Sequence, residues 1–258
     1  MKEIVAFFAT VASALLLSYS TPALTQKAAT TAPAPGASVP ANIARAIADT
    51  NRPQADVDLD ARRKPAEMVT FAGVKPGDKV LEFVPGRGYV TRLLAKAVGT
   101  AGHVYAANLP TFNENLKTGV DPIIASPAYG NVSKIEQPFS EIRAAEPVDV
   151  AWTSENYHDF KNMGIFSTDT NAMNRAVFGA LKPGGTYVVT DYVAAPGSGT
   201  RDTQPLHRID PEIIKREVTA AGFTLEAESN ALMNPSDDLA VRSRQGASQV
   251  MRRFRKPR

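Results

Sequence analysis

The stretch that most constrains this chain is Val80-Leu81-Glu82-Phe83-Val84-Pro85-Gly86-Arg87-Gly88-Tyr89-Val90-Thr91. An apolar run ends in a carboxylate, passes through Pro-Gly-x-Gly and opens into a helical run over residues 89–98. Strand, glycine turn and helix follow one another without a spacer. That local geometry lets a small ligand lie against bare backbone near the positive end of a helix.

The rest of the chain repeats the alternation. Residues 79–84, 103–107, 132–136, 148–153 and 186–191 read as strands, and residues 41–49, 89–98, 163–181 and 211–221 as helices. Asp60 offers an N-cap for a further helix running to about residue 72. Residues 109–130 hold three prolines and two glycines, so helix there is short or broken. Pro211 opens a helix that Gly222 stops, with Asp210 as its cap. The last two strands, 223–229 and 249–255, have no helix between them and can pair antiparallel. Such alternation implies a mostly parallel sheet covered on both faces. With 258 residues and 43% hydrophobic content, the chain can bury one full core.

The first residues read differently. Residues 4–17 form an apolar run after Lys2, followed by the small residues Ser18, Ser20, Thr21 and Ala23. This is the layout of a secretory signal, and the run is too short to span a bilayer comfortably. An uncleaved anchor or a buried first helix is the alternative. The expected organisation is a signal peptide at 1–23, an Ala/Pro/Thr-rich linker at 24–40 and one folded domain at 41–258. The product is exported, to the periplasm, with no stable membrane span after signal removal. Cysteine is absent, which removes disulfides and thiol chemistry. From Arg242 onward there are seven basic residues and no acid, leaving 22 basic against 26 acidic residues upstream. That tail either touches an anionic partner or decorates a final edge strand against aberrant pairing.

The Val80–Thr91 stretch resembles the first motif of the class I S-adenosylmethionine-dependent methyltransferases, hydrophobic-hydrophobic-acid-x-Gly-x-Gly-x-Gly. Glu82 takes the acid position, Gly86 and Gly88 the last two glycines, and Val84 replaces the first. The form Glu-x-x-Pro-Gly-x-Gly-Tyr is similar to that of a bacterial group of exported methyltransferases. Leu181-Lys182-Pro183-Gly184-Gly185-Thr186 resembles the turn by which that family enters its fifth strand. The resemblance implies an α/β, Rossmann-like class I methyltransferase fold: a mostly parallel seven-stranded sheet, helices on both faces and an antiparallel last strand.

It also implies a site. Glu82, Pro85, Gly86, Gly88, Tyr89 and Thr91 would surround S-adenosylmethionine, with Gly86 and Gly88 as the floor. Asn108 stands where the family carries a ribose-binding carboxylate, and Asn156 follows the fourth strand. In Asn156-Tyr157-His158-Asp159, Tyr157 would face the sulfonium and His158 would serve as general base. The implied acceptor is a small molecule or cell-envelope component. No nucleic-acid partner is expected, and oligomeric state stays open. By spacing alone no histidine pair reads as a metal site. A phosphate loop, a Gly-x-Ser-x-Gly elbow and the third glycine of a nicotinamide fingerprint are all missing. The competing reading is a non-catalytic nucleoside or small-ligand binding module on the same fold.

Overall fold

The computed structural model describes residues 30–31, 38–244 and 246–258. The apolar run read as a signal lies outside them. Seven strands build the sheet: β1 (Lys79–Phe83), β2 (His103–Asn108), β3 (Val132–Glu136), β4 (Val148–Ser154), β5 (Leu181–Tyr192), β6 (Thr224–Ser229) and β7 (Gln249–Arg255). Their spatial order is 6-7-5-4-1-2-3, parallel from β3 through β5. The last strand, β7, runs antiparallel between β5 and β6. Within the stretch read as linker, Thr30–Thr31 adds a two-residue parallel pairing beside β6.

Alternation along the strands sends side chains to opposite faces. Val80, Val104, Val150, Trp152 and Val188 meet the helices α1 (Ala41–Ile47), α2 (Pro65–Ala72) and α3 (Tyr89–Val98). Leu81, Phe83, Tyr105, Ala151 and Val189 meet α4 (Thr170–Ala180) and α5 (Pro211–Ala220). A sheet covered on both sides has no polar face, so polar groups emerge at strand ends. The chain winds from β1 through β2 to β3, then returns to place β4 on the other side of β1. That reversal puts the crevice of an open α/β sheet beyond the carboxyl ends of β1 and β4.

Three sequence expectations need correction. The helix placed after Asp60 breaks into Asp60–Arg63 and α2, because Pro65 disfavours helical backbone at Lys64, which turns left-handed at φ 46°. Asp60 is no cap; its carboxylate accepts from Arg52 and from the Tyr89 hydroxyl. The helix placed at 163–181 begins only at Thr170, where Asp169 accepts from Asn171 N and Ala172 N. The basic tail is not an edge strand, since β7 lies inside the sheet. Its arginines are matched by acids beside them: Arg252 by Glu228 and Glu212, Arg253 and Arg255 by Glu226. Among the described residues no helix is long and apolar enough to cross a membrane.

The glycine turn shows why its two glycines are not equivalent. Gly86 (φ 57°) and Gly88 (φ 80°) both hold left-handed backbone. A Cβ on Gly86 would meet nothing within 4 Å, whereas one on Gly88 would lie 2.0 Å from Ile123 Cδ1. Gly86 therefore fronts open space, and Gly88 is pressed against its own fold. Gly88→Ala should cost at least about 2 kcal/mol through strain and overlap. Ile123→Val alone should also destabilise, by about 1 kcal/mol, yet should restore part of the loss in the Gly88→Ala background by removing Cδ1. Denaturant unfolding of the four proteins checks this; equal effects of Ile123→Val in both backgrounds would refute the contact.

Candidate functional site

Two groups of polar side chains occupy the carboxyl ends of the central strands. The first surrounds the glycine turn. β1 ends on Glu82 and Phe83, and Val84 then takes φ 51°, donating its amide to Ala107 O at 2.9 Å. A β-branched residue in the left-handed region stores about 1–3 kcal/mol of strain. Val84 thus holds left-handed backbone of the kind glycine adopts most readily. Pro85 is buried between this residue and Gly86, and its carbonyl accepts from Gly88 N at 2.9 Å.

Glu82 is only 3% exposed, and one of its carboxylate oxygens has no hydrogen-bond partner. Burial raises its pKa to about 7, against the opposing pull of the nearby Thr91 hydroxyl and the Arg63 cation. At the end of β2, Asn108 is equally buried. Its amide donates weakly to Lys117 O at 3.4 Å, and its carbonyl oxygen has no partner. Arg63 comes from the N-terminal segment and went unnoticed in the sequence. It lies 4.7 Å over the Tyr89 ring and pairs with Glu155 at 2.8 Å, while its Nε has no partner. Glu155 itself holds φ 61° and also accepts from Gln249. Tyr89, expected at the ligand, spends its hydroxyl on Asp60 at 2.8 Å and ties the N-terminal segment over the turn. Asn156 folds its amide back onto Ser154 O.

The second group lies at the ends of β4 and β5. His158 is 2% exposed. Its Nδ1 lies 2.7 Å from Asp191 Oδ1, and its backbone amide donates to Asp191 Oδ2 at 2.7 Å. Asp191 is fully buried at the tip of β5 and also accepts from Tyr192 N. His158 Nε2 faces His207 Nδ1 at 3.2 Å and Asp159 Oδ1 at 3.3 Å. Burial works against a charged imidazole here. The Asp191 carboxylate, helped by the ring's hydrogen bonds to Asp191 and Asp159, outweighs it and lifts His158 to about 10. This environment favours the protonated ring, whereas a general base needs the neutral one. Tyr157 is corrected as well. It is fully buried, donates to Glu217 Oε2 at 2.9 Å and accepts from Asn174 at 2.8 Å, a core contact under α4 and α5. His207 sits on left-handed backbone at φ 49°. Next to it, buried Arg208 pins the loop through Asp237, Val193 O and Val241 O. Asp210 caps α5 by accepting from Glu212 N, as its place before Pro211 implied.

No family model matches the chain. Over 145 residues it is 28% identical to the ubiquinone/menaquinone biosynthesis C-methyltransferase UbiE of Vibrio cholerae, covering 54% of this chain and 52% of that one. Over 129 residues it is 31% identical to the UbiE of Teredinibacter turnerae, covering 48% and 47%. The chain thus spans about half the length of the curated relatives it matches. Among solved structures, a SAM-dependent methyltransferase from Aquifex aeolicus superposes with a TM-score of 0.56 at 16% identity, over 80% of this chain and 98% of that one. The glycopeptide N-methyltransferase MtfA, complexed with S-adenosylmethionine, superposes with a TM-score of 0.52 at 15% identity, over 81% and 99%. This chain has the class I methyltransferase fold. The expected sheet, seven-stranded and mostly parallel with an antiparallel last strand, is the one found.

The state of Glu82 gives a pH signature. A carboxyl whose pKa rises from 4.5 to about 7 on folding binds its proton more tightly in the folded state. It therefore imposes no penalty below about pH 4.5, a growing one between 4.5 and 7, and a constant one above. Glu82→Gln removes that penalty. The variant should gain up to about 3 kcal/mol more, relative to wild type, at pH 8 than at pH 4. Chemical unfolding at the two pH values measures it, and an equal difference at both would contradict the burial argument.

Proposed function

We propose that this protein is an exported, S-adenosylmethionine-dependent methyltransferase acting on a small-molecule or cell-envelope acceptor. One observation carries the reading. At the ends of β1 and β2 and over the Tyr89 ring, three buried polar atoms of complementary kind have no partner: Glu82 Oε2, Asn108 Oδ1 and Arg63 Nε. Leaving such groups unpaired is costly, about 1–3 kcal/mol each, unless a ligand completes them. S-adenosylmethionine presents the matching set: an ammonium for the Glu82 carboxylate, a ribose hydroxyl for Asn108 and a carboxylate for Arg63. When bound, it supplies a methyl group already activated on a sulfonium.

The chain's own work is positioning. Gly86 lets the ligand approach the backbone, Glu82 and Arg63 hold the two charged ends of its amino-acid part, and Asn108 orients the ribose. A neutral amide acceptor contributes about 0.5–1.5 kcal/mol where a charged one contributes roughly 1.5–3, so Asn108 lowers affinity several-fold without abolishing it. At the acceptor end, His158 and Asp191 form a hydrogen-bonded pair that fixes the loop after β4. Holding an acceptor in line with the methyl group supplies much of the rate in such a reaction. The names of the relatives put quinone-type rings first among acceptors to screen.

Calorimetric titration with S-adenosylmethionine and S-adenosylhomocysteine should show one site. Asn108→Asp should tighten it modestly and Asn108→Leu should loosen it. Absence of binding would overturn the proposal. Labelled methyl transfer to quinols, phenols, amines and envelope lipids then separates enzyme from binding module: binding without transfer to any of them would favour the module. Export is checked separately by intact mass of protein from a cell-envelope fraction. A start between Thr21 and Gln26 is expected, and a cytoplasmic species retaining Met1 would refute it.

A further inference from the structure

The sequence holds three histidines, and the fold brings two of them together although 49 positions separate them. His158 Nε2, Asp159 Oδ1 and His207 Nδ1 form a nearly equilateral triangle, with edges of 3.2 Å between the nitrogens, 3.3 Å from His158 to Asp159 and 3.4 Å from His207 to Asp159. Ligands at about 2.0–2.1 Å around a tetrahedral ion stand about 3.3 Å apart. We propose that these three side chains form a binding site for a divalent transition-metal ion of the zinc type, with a fourth position open to water or an acceptor oxygen.

The surroundings support ligation beyond the spacing. The imidazole of His158 turns its other nitrogen to Asp191 Oδ1 at 2.7 Å. That is the carboxylate–histidine arrangement that orients a ligating ring and raises its basicity. Asp191 is itself held by the His158 and Tyr192 amides, so the ring's direction is set before any ion arrives. His207 reaches the triangle because its backbone adopts φ 49°, and buried Arg208 anchors the loop behind it. Two imidazoles and one carboxylate suit zinc and its first-row neighbours better than magnesium or calcium, which prefer all-oxygen sets. His207 and Asp159 keep partial exposure, so the site is reached from solvent. Exposed Arg242 abuts His207 Nε2, and on ligation it turns to solvent while Nε2 carries the ring proton.

The alternative is a hydrogen-bonded cluster in which the His158 ring proton lies between Asp159 and His207. Metal titration separates the two without reference to methyl transfer, so its outcome is independent of the proposed activity. Tag-free protein titrated with Co²⁺ should bind one equivalent and develop the visible absorption of a tetrahedral site, and Zn²⁺ should displace it. His207→Asn, which suits the left-handed backbone at this position, should lower affinity at least about 100-fold, with circular dichroism confirming the fold. Asp191→Asn should lower it by about 10–100-fold through the ring it orients. His103→Ala, on another part of the sheet, should leave binding unchanged. No absorption beyond that of free Co²⁺, unchanged affinity in His207→Asn, or loss of binding in His103→Ala would each overturn the site.

Discussion

A parallel sheet buried on both faces gives this protein its main constraint: polar chemistry is confined to the ends of the strands. Burying an unpaired polar group within the layers costs too much, so along β1, β4 and β5 the side chains facing the helices are largely apolar. At the carboxyl ends the rule relaxes. Glu82, Asn108 and Asp191 are each the last or nearly the last residue of a strand, and each is buried. The reversal of winding between β1 and β4 opens the layers at that edge, and both polar groups of the molecule gather there.

The two groups are in opposite states of satisfaction. At the ends of β1 and β2 and over the Tyr89 ring, Glu82, Asn108 and Arg63 keep unpartnered atoms. Around His158, carboxylates already receive the ring proton and the backbone amides. The first group leaves hydrogen-bonding capacity unused; the second uses its own in holding the His158 ring and backbone. Strain follows the same division. Among the described residues, Val84, Glu155 and His207 are three of the four non-glycine positions with positive φ, and all three border these groups. Backbone held in such regions persists only where surrounding contacts enforce it.

Legibility differed between the groups for a physical reason. Glu82, Gly86, Gly88 and Asn108 belong to two adjacent parallel strands and the turn between them, so local pattern located them. It did not say which glycine fronts open space, because Ile123, which fills the space beside Gly88, comes from a broken helical segment with no pattern to place it. Tyr157 and His158 are neighbours in the chain yet point to opposite environments. One goes to Glu217 beneath the helices, the other to Asp191 at the strand tip. Nothing in Asn156-Tyr157-His158-Asp159 distinguishes them. Arg63 carried no signal at all, since its partner Glu155 lies 92 residues away.

By itself the sequence determined the alternation of strands and helices, the glycine turn and the antiparallel ending. These depend on local periodicity, on proline and glycine backbone limits, and on connections too short for any other course. Tertiary structure alone decided the raised proton affinity of Glu82 and His158, the burial of Tyr157, and the meeting of His158, Asp159 and His207. Those properties arise from desolvation and from charges brought within 3–4 Å by distant segments, and spacing along a chain does not encode such distances.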